Sequence, residues 1–227
     1  MENLLVLGII FPLIGFVSLL FTSNLTGRKV SECIGCLTIF CSFVCFCALL
    51  YDHTIGVSFQ DVTLFSWIPI KGIDAQVTLH LDDLSLLMSL IITGVGFLIH
   101  VYSVGYMDHE KDIGRYFTCM NFFIFSMLLL VLSQNLLVLF VGWEGVGVAS
   151  YLLIGFYYQK ESAEKAAKKA FVVNRIGDLG LLLGILLTLQ IFGTANIQEV
   201  CEKVYSLFEI LSDKDDMSEE SLNNLYF

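Results

Sequence analysis

The stretch LLVLFVGWEGVGVASYLLIGFY, residues 136–157, holds a single charge, Glu144, in an otherwise apolar run. About 20 predominantly apolar residues suffice for a helix to cross the hydrocarbon core of a bilayer. The run does not alternate apolar and polar positions, so it does not read as a strand of a membrane barrel. Inside lipid the backbone must satisfy its own hydrogen bonds, which leaves a helix. The spacing therefore predicts a transmembrane helix with a carboxylate inside it.

The rest of the chain repeats this pattern. Of 227 residues, 56% are hydrophobic and 15% charged, against about a quarter charged in a soluble domain, and the mean hydropathy is +0.79. The expected fold class is all-α: a polytopic membrane protein of about six transmembrane helices. The spans are expected at Leu4–Phe21, Val30–Tyr51, Leu84–Gly105, Tyr116–Leu132, Leu136–Tyr157 and Ala166–Ile191. Asp52–Leu81, with Pro69, Gly72 and the alternating Val57-Ser58-Phe59-Gln60, reads as an extra-membrane loop with a short hairpin. Met1-Glu2-Asn3 lacks the positive start of a cleaved presequence, so the first run is expected to be a retained span.

Lysine and arginine set the expected orientation. Arg28, Lys29, Lys111, Arg115, Lys160, Lys165, Lys168 and Lys169 fall on one side. Lys71, Lys203 and Lys214 fall on the other. The N-terminus is expected outside and the basic loops in the cytoplasm or matrix.

The chain divides into a membrane part, 1–193, and an acidic tail, 194–227. In the tail, Ile197, Val200, Cys201, Val204, Leu207, Phe208 and Leu211 recur at helical spacing. They predict a short amphipathic helix on a partner or the bilayer surface. Ser212–Ser221 reads as a solvated linker, and much of the formal net charge of −10 sits in this tail. No basic patch offers a nucleic-acid surface. Cys33, Cys36, Cys41, Cys45 and Cys47 lie in one apolar run and read as small hydrophobes. No nucleotide, metal or haem motif is present, so no cofactor is expected on this chain.

Charges within the spans are the candidate site. Glu144 lies eight residues into its span, roughly 12 Å deep at about 1.5 Å per residue. An ionised group there costs about 3 kcal/mol, so it is expected to face a cation or water, or to hold a proton. Gly142, Gly145 and Gly147 flank it, with Ala149 and Ser150 beyond; small residues let helices approach closely. On the sixth span Arg175 and Asp178 are three apart and share a face, with Lys168 and Phe171 on the same stripe and Asn174 adjacent. This cluster reads either as a docking pair or as a relay tuning Glu144. His100, deep in the third span beside Tyr102 and Ser103, is a weaker candidate, as is Lys168. Asp82 and Asp83 read as the aqueous edge of the third span. Trp67 and Trp143 read as interfacial or packing residues.

Phe140–Phe156, Lys169–Asp178 and His100–Met107 closely resemble the subunit 5 family of respiratory complex I, NADH:ubiquinone oxidoreductase. The likeness runs from the N-terminus to about Ile197. It implies an antiporter-like, proton-pumping subunit of the membrane arm, related to cation/proton antiporter and membrane-bound hydrogenase subunits. It further implies that Glu144 pairs with a lysine on a later helix, that Arg175 and Asp178 belong to the same polar axis, and that FMN, iron–sulfur clusters and ubiquinone sit on other subunits. The family's second half, with that lysine, is not in this sequence, so a fragment or a split subunit completed by another chain is expected. Other membrane-arm subunits and lipids are the implied partners. A scaffold without proton transfer and a cation/proton antiporter subunit are the alternatives. A mitochondrial inner membrane is expected ahead of a bacterial plasma membrane.

Overall fold

The computed structural model describes residues 2–23, 27–57, 61–70, 73–110 and 112–208. Among them are α1 (Glu2–Thr22), α2 (Arg28–Thr54), β1 (Val62–Ile70), β2 (Ile73–Leu79), α3 (Asp83–Tyr106), α4 (Ile113–Leu132), α5 (Leu136–Ile154) and α6 (Glu161–Phe192). All six helices are long and apolar enough to cross a membrane. The chain is a multi-pass, helical membrane protein, as its hydropathy predicts.

Boundaries shift where local chemistry overrides hydropathy. α6 starts at Glu161 rather than Ala166. Its first turns are built on Glu161–Lys165 and Glu164–Lys168 ion pairs one turn apart, a spacing that supports helices. With 32 residues it is roughly 48 Å long and exceeds a bilayer core of about 30 Å. α5 stops at Ile154, where Gly155 caps it through Tyr151, rather than at Tyr157.

The hairpin is present, with Val62 opposite Leu79. Ser58, Phe59 and Gln60 lie outside the described residues, and the strands fall after them. His80 N–H donates to Leu132 O at 2.8 Å and Gln134 N–H to Thr78 O at 3.0 Å; Ile197 N–H donates to Gln134 O at 2.9 Å. The α4–α5 corner is thus threaded between β2 and the segment after α6. A helical run over 197–208 follows, with Tyr205, Leu207 and Phe208 exposed. Leu211 and the Ser212–Ser221 linker lie outside the described residues.

α1, α2, α3 and α4 pack together, α5 docks on α4, and α6 docks on α5. An apolar cluster including Leu5, Phe46, Leu86 and Leu128 fills the end of the bundle near the hairpin. Leu19, Met107, Ile113, Phe117 and Phe156 fill the opposite end. Pro12 lies inside α1 and cannot donate to the carbonyl four residues back. Ser42 of α2 donates to that Gly8 carbonyl at 2.5 Å, so the bond lost along α1 is replaced across to α2. α5 approaches α4 closely: a Cβ on Gly142 would lie 2.7 Å from Leu130 N, and one on Gly145 would lie 2.5 Å from Ser126 Oγ.

Candidate functional site

Two of these helices carry the ionisable cluster. Glu144 projects from α5, and Arg175 and Asp178 project from α6. Arg175 Nη1 donates to Glu144 Oε2. The same nitrogen lies 3.6 Å from Asp178 Oδ2. One guanidinium thus bridges two carboxylates from different helices, its carbon 4.7 Å from the centre of the Phe171 ring. Arginine stays protonated in proteins. The trio therefore carries one net negative charge with both carboxylates ionised and none when one of them holds a proton. In either state the trio stays near neutrality, which limits the cost of burying its charges.

Glu144 does not face lipid alone; its cation is in place, on the sixth helix of this same chain. Among the described residues, the cation paired with Glu144 is Arg175.

Trp143 completes the cluster. Its indole Nε1–H donates to Asp178 Oδ1 at 2.7 Å, and the Asp178 side chain is only 9% exposed. From the sequence, Trp143 reads as an interfacial or packing residue. Its partner lies 35 positions away, beyond any helical spacing, and no local pattern points to the pair. Beside it, Trp143, Val146, Gly147, Ser150, Val173, Asn174, Gly177 and Asp178 border a mostly apolar recess of about 270 Å³. Gly142 and Gly145 are taken up by contact with α4, but Gly147 faces open space. The Gly-rich stretch thus serves packing on one side and leaves an open flank on the other.

The weaker candidates stand apart. Lys168 is 67% exposed and pairs with Glu164. His100 is fully buried in α3 and hydrogen-bonds the Gly96 carbonyl at 2.7 Å; it does not join the Glu144 cluster. Asp82 is the N-cap of α3, where Ser85 N–H donates to it and its own N–H donates to the Ser85 hydroxyl. The Ser85 side chain, then its backbone N–H, hold the Asp82 carboxyl below its usual range. Asp83 is exposed and pairs with His53 at 3.1 Å. The seven cysteines are free thiols.

Residues 67–117 match a family model described as NADH-ubiquinone oxidoreductase (complex I), chain 5 N-terminus. Residues 133–225 match one described as NADH:quinone oxidoreductase/Mrp antiporter, TM. The chain is 47% identical over 186 residues to NADH-quinone oxidoreductase subunit L of Mycobacterium tuberculosis, covering 81% of this chain and 29% of that protein. It is 42% identical over 207 residues to the Escherichia coli subunit L, covering 88% and 33%. The chain thus spans about a third of the length of these curated relatives. Among solved structures, a chain of the archaeal membrane-bound sulfane sulfur reductase superposes with a TM-score of 0.75 at 17% identity, over 88% of this chain and 39% of that one. A chain of the Mrp complex of Dietzia does so with a TM-score of 0.69 at 24% identity, over 87% and 20%. At these identities the superpositions speak for the fold, which is antiporter-like.

Proposed function

Given that the chain belongs to the family of NADH:quinone oxidoreductase chain 5, the bacterial subunit L, and matches its N-terminal portion, we propose that it forms part of a proton-translocating subunit of the membrane arm. Glu144 is the proton-binding group, and Arg175 and Asp178 are the charges that respond to it. The observation that carries this reading is the single Arg175 guanidinium held between Glu144 of α5 and Asp178 of α6. A cation shared by two carboxylates can lean toward either one. Protonating Glu144 releases Arg175 toward Asp178, and deprotonation draws it back. Each helix thereby senses the charge of the other.

Electron transfer takes place on other subunits in this reading, with FMN, iron–sulfur clusters and ubiquinone bound there. The partners are other membrane-arm subunits and the remaining part of the antiporter-like fold, on the same chain or another. The relatives named above are bacterial, so a bacterial plasma membrane has at least as strong a claim as the mitochondrial inner membrane that the sequence alone suggested.

Glu144→Gln in the assembled complex tests the reading. It keeps the shape and an acceptor for Arg175 but carries no exchangeable charge. NADH-driven acidification of membrane vesicles is expected to fall sharply while the complex still assembles and oxidises NADH. Full pumping by an assembled E144Q complex overturns the proposal. A scaffold reading draws on the same bridge, because α6 is tied to the other described helices through α5. That reading predicts that E144Q impairs assembly first.

A further inference from the structure

The buried face of α3 is polar. Ser85, Ser89, Thr93, Gly96, His100 and Ser103 follow one another at three- and four-residue intervals and are all buried; Leu86 is the one aliphatic side chain buried with them. Positions spaced this way share a helix face. From Ser85 to Ser103 they run roughly 27 Å, nearly the thickness of the hydrocarbon core. The C-terminal half of the stripe faces α4: a Gly96 Cβ would meet Ile124, the His100 ring lies 5.7 Å from Phe117, and Ser103 Oγ is 3.0 Å from Tyr116 Oη.

Hydrogen-bond accounting along the stripe leaves atoms over. Thr93 donates to the Ser89 carbonyl and Ser103 to the Ile99 carbonyl, each at 2.7 Å. His100 Nδ1 lies 2.7 Å from the Gly96 carbonyl. A carbonyl only accepts, so Nδ1 carries the proton and Nε2 of the neutral ring is a bare acceptor. Among the described residues Nε2 has no partner, and neither does the buried Ser89 Oγ. Small hydroxyl residues alone could be explained by close packing. His100 is not small, and a leucine would fill similar space without an orphaned acceptor. Buried polar atoms without protein partners are commonly met by internal water.

We propose that the buried polar face of α3 holds internal water at two separate sites, His100 Nε2 and Ser89 Oγ, apart from the Glu144 cluster. His100 acts as a fixed neutral acceptor that orients a water molecule. This assignment stands whether or not Glu144 carries protons.

A map of the full membrane complex at a resolution that shows ordered water tests it directly. Peaks are expected at about 2.7–3.2 Å from His100 Nε2 and from Ser89 Oγ. Either atom in contact with carbon alone, or a donor from another subunit on Nε2, overturns the proposal. Ser89→Ala should erase the peak at that position and leave the one at His100; an unchanged pair of peaks overturns the assignment. Thermal unfolding of the assembled complex adds a second reading. His100→Phe strands the water and should lower the midpoint, with His100→Gln falling between it and the parent. A midpoint for H100F equal to or above the parent means the site is dry and the proposal fails.

Discussion

Arg175 is one cation facing two carboxylates, and its position depends on the indole of Trp143. By donating to Asp178 Oδ1, Trp143 occupies one carboxylate oxygen and leaves the other toward Arg175. A hydrogen bond to a charged group contributes about 1.5–3 kcal/mol when removal leaves the partner unsatisfied. The half-exposed indole puts this one toward the lower end. Trp143→Phe keeps the ring and deletes the donor. It is expected to reduce protons moved per NADH oxidised, by less than E144Q does, with assembly unchanged. Vesicle acidification measured beside NADH oxidation distinguishes this from a packing defect, which would lower both together.

At the scale of the element, α1 depends on a hydroxyl of α2 and α3 on a carboxylate cap. Ser42 takes the Gly8 carbonyl that Pro12 leaves free in α1. Ser42→Ala buries that carbonyl without its side-chain donor, at a cost of about 1–3 kcal/mol. A lowered thermal midpoint in detergent is expected; Ser42→Thr should recover most of it.

Asp82 caps α3, and replacing such a cap by alanine costs about 1 kcal/mol. Its carboxyl is held below the ordinary aspartate range in the folded state. The capping contribution is therefore complete above the unfolded value of about 3.9. It fades as pH falls through the lower folded value. Parent and Asp82→Ala should differ in stability at neutral pH and converge on strong acidification, as followed by helical circular dichroism. Asp82→Asn, which keeps an acceptor, should remove the pH dependence while keeping most of the cap.

At the scale of the whole molecule, four helices enclose one another while the last two lean outward. α5 packs on α4, and α6 meets the other described helices mainly through α5. α6 carries exposed Val172, Val173, Ile176, Leu179 and Leu183 beside its charges. The Glu144–Arg175 bridge is thus a joint at the edge of this unit, and the proposed pump needs further protein against that edge. Reconstituted alone in vesicles with a pH gradient, the chain should conduct no protons above the lipid background. A flux from this chain alone that Glu144→Gln abolishes would contradict that dependence.

The six spans, the carboxylate at depth in the fifth and the shared face of Arg175 and Asp178 were legible in residue order alone. Desolvation of the backbone and of charge acts locally and marks a sequence at fixed periods, so those features needed no coordinates. The resemblance rested on the same local runs. Helix ends were read less well, because caps such as Gly155 and ion pairs such as Glu161–Lys165 outweigh hydropathy there. What the tertiary structure alone decided were contacts between distant positions: Trp143 on Asp178, Ser42 on Gly8, Arg175 on Glu144, and the inward turn of the polar face of α3. Each depends on which side of one helix meets which side of another. That is settled by packing across the whole bundle, where glycines such as Gly142 set the distance of approach and no single segment carries the information.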